Sequence, residues 1–265
     1  MLTFVIVARG VCEEATGAAA RTVAAAAQPE RTIAEEIAVL EKGRISAKQR
    51  SFARLATHPD SAADGILRKQ FGRYRSHDLP AAVWLDLFDA MGKRGTPELK
   101  ALLAERDAEL AKATDPFKRF EECLEGGNGE AGRAVFEKRP EAGCVRCHSM
   151  DGKGGQVGPE LTWLRHNTER SHILESIIIP NSTIATGFDS VALKLKSGEM
   201  VAGIVRGESA VDITLASFVD GKRSTVKLAK VVERTPLPSP MPPAFGQALD
   251  KRTLRDLVQF IAEGD

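Results

Sequence analysis

Between residues 32 and 124, apolar positions recur at three- and four-residue steps: Val83, Leu87 and Ala90, then Leu99, Leu102 and Leu103. That spacing describes one face of a helix and not a strand. Start signals punctuate the segment. Ser46-Ala47-Lys48-Gln49 has the form of a capping box, and Thr96-Pro97 and Asp115-Pro116 each put a capping side chain before a proline suited to a first helical turn. The pattern predicts short amphipathic helices with tight connections, a HEAT-like helical array over 32–125. Three glycines within residues 125–129 interrupt it, and a domain boundary is expected there. Beyond it the sequence predicts a short helix over 130–138, an irregular Gly-rich stretch over 149–160, and a second helix over 168–179 that Pro180 stops.

The period then changes from helical to alternating. Val191, Leu193 and Leu195, then Val201, Gly203 and Val205, then Val211, Ile213 and Leu215, then Val226 and Leu228 each skip one residue. Ser197-Gly198, Gly207-Glu208 and Asp220-Gly221 supply the turns between these runs. About five short strands are therefore expected, forming a small barrel-like module or curled sheet inserted at about 188–235. A proline-rich segment over 236–243 leads to a terminal helix over 250–263, whose Leu254, Leu257, Val258 and Ile261 form one apolar stripe. The expected fold class is mainly α with a small β insert, in two domains over 32–125 and 126–265.

Composition narrows the function. With 37 basic against 36 acidic side chains in 265 residues, the net charge of +1 offers no field for gathering phosphates. No Lys/Arg block interleaves with aromatics either, so nucleic acid is not an expected partner. No run of about eighteen apolar residues exists, and no ordinary membrane-spanning helix is expected. The apolar run over 2–8 lacks a preceding Lys or Arg and makes a poor secretory signal. The Ala-rich stretch over 18–27 reads as a helix of a longer parent in preference to a processing region, so residues 1–31 are a leader or a continuation of such a parent. Four cysteines are too few for a disulfide scaffold. Between Cys12 and Cys123 the sequence gives no preference for pairing over separate buried thiols.

Two of the four cysteines carry the chemistry. Cys144-Val145-Arg146-Cys147-His148 is the c-type haem attachment pattern. Thiols three residues apart can add to two vinyl groups on one side of a porphyrin, and the adjoining histidine then sits under the iron. From composition, chance would supply this pattern on the order of once in a thousand such chains. An electron-transfer haem usually takes a second axial ligand on the opposite face, and a thioether there raises the potential. Met1 and Met91 lie outside the region, Met150 is too near His148, and Met200 falls in a predicted strand. Met241 remains, within Pro240-Met241-Pro242-Pro243, where the flanking prolines stiffen the loop.

Residues 132–261 resemble a class I cytochrome c. The resemblance rests on a first helix with Gly132 and Phe136, the attachment motif, the Gly158-Pro159-Glu160-Leu161 loop, the Met-Pro loop and the terminal helix. It implies that Gly132 meets the Leu257/Phe260 face where first and last helices cross. It also implies that the Pro159 carbonyl holds the His148 ring as a tuning partner, with Leu161 and Trp163 near the porphyrin. The separation of His148 from Met241 is longer than in small cytochromes because of the β insert. In that respect the chain from about residue 33 onward resembles the haem-binding domain at the carboxyl end of large proteins of planctomycete- and verrucomicrobia-type bacteria. Pro180, Ile184-Ala185, Gly187, Gly198 and Gly203 belong to that match. It implies a tail of a longer multidomain protein, one covalently attached haem c, and a periplasmic or equivalent extracytoplasmic compartment.

The main rival for the cluster is zinc, since Cys144, Cys147, His166 and His172 approximate a two-Cys two-His finger with a long loop. A thioredoxin-like pair fits less well, because Cys144 does not follow a strand of a β-α-β unit. The expected function is a monohaem c-type cytochrome with His148 and Met241 as axial ligands, an electron carrier and not an enzyme, serving a redox partner protein or dehydrogenase domain. If Met241 does not ligate, a haem-based gas sensor or peroxidase-like enzyme becomes the alternative.

Overall fold

Five helices occupy the first half of the computed structural model, which describes residues 31–140, 142–243 and 245–265. They are α1 (Ile33–Lys42), α2 (Ile45–Leu55), α3 (Ala62–Arg75), α4 (Trp84–Arg94) and α5 (Pro97–Lys112). Helix α4 packs on α2, α3 and α5, and α1 packs on α2. The predicted stripe of Val83, Leu87, Ala90 and Leu99 faces inward with Phe52, Leu55, Leu67 and Met91. Tyr74 meets Trp84 and Phe88 edge-on at 5.1 and 4.9 Å, the favoured arrangement for ring quadrupoles. Expectations for residues 1–30, Cys12 included, lie outside the described residues.

The helix starts use some of these capping side chains and not others. Asp115 caps as expected, its side chain accepting from Phe117 N at 2.9 Å at the head of the 3₁₀ helix Pro116–Cys123. Thr96 stands at the N-cap of α5, but its hydroxyl makes no capping bond. The Ser46 capping box does not form, because α2 begins two residues earlier than that box requires, at Ile45 behind Arg44. Gln49 instead donates to the carbonyls of Ala82 at 3.1 Å and Gly126 at 2.7 Å.

The Gly-rich break over 125–129 is a crossing of chains and not a slack linker. A methyl group on Gly126 would strike the Ala82 carbonyl, one on Gly127 the Arg255 carbonyl, and one on Gly129 the Gly264 carbonyl. These glycines let main chain approach main chain, and Gly126 also adopts φ +80°. Residues Ile33–Asp265 accordingly form one compact unit. The apolar core divides earlier than the glycines, between Leu103 and Phe117. Ion pairs tie the parts: Asp86 accepts from the buried Arg255 at 2.8 Å and from Arg252 at 3.2 Å, and Glu122 from Arg106 and Lys251 at 2.6 Å each.

Next come α6 (Gly129–Lys138), the single turn α7 (Cys144–Cys147), the two-residue strands β1 (Ser149–Met150) and β2 (Lys153–Gly154), and α8 (Arg170–Ile178). Strands β3 (Ser190–Leu195), β4 (Met200–Glu208), β5 (Asp212–Ala216), β6 (Arg223–Lys227) and β7 (Val231–Leu237) precede α9 (Phe245–Ala248) and α10 (Lys251–Glu263). Asp250 caps α10, accepting from Thr253 N at 2.8 Å.

The fold is α+β and not mainly α, and the insert is an open five-stranded antiparallel sheet of order β6-β5-β4-β3-β7 and not a barrel. Five strands did form, yet the edge strands β6 and β7 are not paired with each other. Register shifts at Lys194/Leu195 and Val205/Gly207 curl the sheet. That curl buries Val191, Leu193, Ile213 and Leu215 on one face, so apolar burial is met without closure.

Candidate functional site

Gly143, at φ +58°, turns the chain into α7, and Cys144 and Cys147 stand one turn apart, both half-buried and not joined as a disulfide. Burial pushes the Cys144 thiol up to about 11, keeping it protonated at neutral pH. His148 follows with extended backbone, its N–H donating to Cys144 O at 2.9 Å.

A tight loop wraps this turn. Gly155 N donates to Val145 O at 2.8 Å, Gly158 N to Cys147 O at 2.7 Å, and Leu161 N to Ser149 O at 2.9 Å. A methyl group on Gly155 would strike the Arg146 carbonyl, and one on Gly158 would lie 2.5 to 2.9 Å from three atoms of the His148 ring. The sequence therefore needs glycine where backbone lies flat against the motif. Pro159 then offers its carbonyl to His148 Nδ1 at 2.9 Å, the contact implied by the cytochrome resemblance. A carbonyl can only accept, so Nδ1 carries the proton and Nε2 keeps its lone pair as a metal donor. Desolvation lowers the imidazole pKa, outweighing the Pro159 carbonyl, which favours the cation. Desolvation thus favours the neutral ring while the Pro159 carbonyl fixes its tautomer, the two conditions an iron ligand requires.

The helix crossing also matches. Gly132 on α6 has no room for a methyl group against the Asp256 carbonyl and Phe260 Cβ on α10, and Phe136 meets the Phe260 ring at 5.7 Å. Leu257 is buried in the same core.

Of the predicted site residues, Cys144, Leu161 and Met241 pack against one apolar cluster, with Phe136, Leu174 and Phe260 among its buried members. Cys147 packs against a neighbouring cluster built on Val157, Ile204 and Ala216. Met241 is half-buried, and its loop is pinned by Met241 N donating to Ser239 Oγ at 3.2 Å and Ser239 N to Asn181 Oδ1 at 2.8 Å. Trp163 is not brought in; in the 3₁₀ turn Thr162–Leu164 it stands 68% exposed. A cavity of about 210 Å³ floored by Phe136, Val145, Met150 and Phe260 lies beside the motif, and neither the two cysteines nor His148 nor Met241 lines it.

The zinc alternative finds no cluster. Among the described residues no three His, Cys, Asp or Glu side chains are grouped to hold a metal ion, so Cys144, Cys147, His166 and His172 do not assemble a finger. Cys123 is a buried free thiol, its pKa pushed up to about 12 by burial. No helix among the described residues is long and apolar enough to cross a membrane.

Sequence reasoning missed what fixes the motif loop from outside. Gly155 was within reach, since glycines at 152, 154, 155 and 158 are dense enough to flag close backbone approach. Arg206 of β4, which donates to the Gln156 and Val157 carbonyls, was not, because an arginine in an alternating strand looks like a solvent-facing residue. Compared with models of known protein families and with curated proteins, the chain matches none.

Proposed function

We propose that the chain binds one haem c covalently and passes single electrons. Cys144 and Cys147 would form the two thioethers, His148 Nε2 would be the proximal ligand, and Met241 the distal one. Bound there, the haem supplies a one-electron iron couple whose potential its axial ligands and surroundings set. The polypeptide does the rest. It keeps the two thiols unpaired on one turn, aims the imidazole through Pro159, and packs Cys144 and Met241 against one apolar cluster.

The observation that carries this reading is the His148 Nδ1 to Pro159 carbonyl contact at 2.9 Å, beside a glycine that leaves the ring no slack. An incidental Cys-x-x-Cys-His run would have no reason to lock a histidine tautomer. No acid or base catalyst is needed, so the role is that of a carrier for a redox partner protein or dehydrogenase domain, in a periplasmic or equivalent compartment where haem c is attached.

The test is a denaturing gel of protein produced with a cytochrome c maturation system. A haem-staining band is expected in the wild type and absent in Cys144→Ser/Cys147→Ser. A wild-type band that releases its haem under denaturation rejects covalent attachment. Met241 is tested separately by the far-red sulfur-to-iron absorption of the oxidised protein. Its absence, with ligand binding to the ferrous form, would move the function to gas sensing or peroxidase-like chemistry.

A further inference from the structure

The inserted sheet sends one cation into the motif loop. Arg206, on β4, donates to the carbonyls of Gln156 at 3.0 Å, Val157 at 3.1 Å and Gly187 at 3.2 Å. Its guanidinium also lies 4.1 Å from the centroid of the Phe188 ring. Among the described residues no carboxylate pairs with it, so carbonyl dipoles and a ring face hold the charge instead. Its pKa is lowered, by burial and then by the neighbouring Arg223. Below the guanidinium, Val157 is buried with Ile204 of β4 and Ala216 of β5, and Cys147 packs at their edge.

The carbonyls it grips sit immediately before the atoms that hold the imidazole. Gln156 and Val157 are followed by Gly158, whose N–H bonds Cys147 O and whose Cα faces the His148 ring, and then by Pro159, whose carbonyl takes Nδ1. Between Arg206 and that carbonyl the chain has two residues in which to relax, one of them boxed against the ring.

We propose that Arg206 is a positioning residue for the proximal histidine, and that the inserted sheet acts as a clamp on the loop that orients His148. This rests on the haem reading for its redox consequence, though not for the clamp itself. Without the guanidinium the loop loses two charge-assisted bonds, the Pro159 carbonyl moves more freely, and its pull on Nδ1–H weakens. A less polarised imidazole donates less to ferric iron, so the potential rises.

The experiment compares matured wild type, Arg206→Gln, Arg206→Lys and Arg234→Gln. Arg234 belongs to the same sheet but, among the described residues, pairs only with Glu208 on the exposed surface. In Arg206→Gln, amide hydrogen exchange at Gly158 and Leu161 should run about tenfold faster or more, as expected for losing bonds to a charged group, and the midpoint potential should shift upward. Arg206→Lys should fall between, and it carries the test if the glutamine variant does not fold. Arg234→Gln should leave both readouts at wild-type values. Unchanged exchange in the Arg206 variants, or faster exchange with an unmoved potential, overturns the proposal. A wild-type mass without covalent haem overturns the proposed function, while the exchange comparison still decides the clamp.

Discussion

In the helical array, a cluster running from Leu40 to Leu99 is sealed by side chains, with Phe52, Leu55, Leu67 and Leu87 wholly removed from water. Around Cys144–Cys147 and His148 the work is done by bare main chain at close approach, Gly155 on the Arg146 carbonyl and Gly158 on the imidazole, as Gly132 lies on the Asp256 carbonyl where α6 crosses α10. The two arrangements fail in opposite directions. A side-chain core is damaged by removing atoms, which leaves cavities, but absorbs changes of shape at constant volume. A backbone crossing has no atoms to lose, and a single added methyl group is too much.

That difference ranks the expected effects of substitution. Phe52→Ala should cost about 3–5 kcal/mol in denaturant unfolding while leaving the proposed attachment of haem untouched; loss of haem with retained stability would break the comparison. Asp86→Ala strands the buried Arg255 between the two halves, and about 3 kcal/mol should be lost. Because that pair joins α4 to α10, one cooperative unfolding transition should persist in the wild type, and separation into two is the outcome to look for in the variant. Gly132→Ala should cost about 1–3 kcal/mol by overpacking, more than any gain from alanine's helix preference. A stabilised Gly132→Ala would show that α6 and α10 can part more easily than their contact implies.

Protonation sharpens the contrast further, because the array's core carries no histidine. The folded His148 has a depressed pKa, so the unfolded chain binds the proton more readily. Its contribution is complete above the ordinary histidine value of 6.5 and is lost as pH falls through it toward the lower folded value. Urea titrations of the haem-free chain between pH 7.5 and 5 should show stability falling with pH, and His148→Gln should flatten that slope. The smallest effect belongs to Arg234→Gln on the exposed sheet, within about 0.5 kcal/mol, which calibrates the rest.

The sequence was most legible where chemistry or local period fixes spacing. The Asp115 cap, the apolar stripe of α10 and the alternation in β3 to β5 all became the elements they predict. The Pro159 contact and the Gly132 crossing were legible only through resemblance, since nothing local requires them. What could not be read depends on partners far along the chain. Gln49 looked like half of a capping box because its real acceptors, Ala82 and Gly126, lie 33 and 77 residues away. The glycines over 125–129 looked like slack because composition does not distinguish glycine used for freedom from glycine used for proximity. Barrel closure was misread because alternation reports which face is buried and not whether the edge strands meet. Trp163, expected near the porphyrin, stands in solvent because its 3₁₀ turn directs it away from the apolar cluster that takes Leu164.

The proposed function stands on two thioethers that would join a porphyrin to Cys144 and Cys147, next to His148. Intact-mass spectrometry of matured protein under denaturing conditions detects those bonds. The expected mass is that of the polypeptide plus one haem, reverting to the bare chain in Cys144→Ser/Cys147→Ser. A wild-type mass equal to the bare polypeptide, or to the polypeptide with zinc, would contradict it.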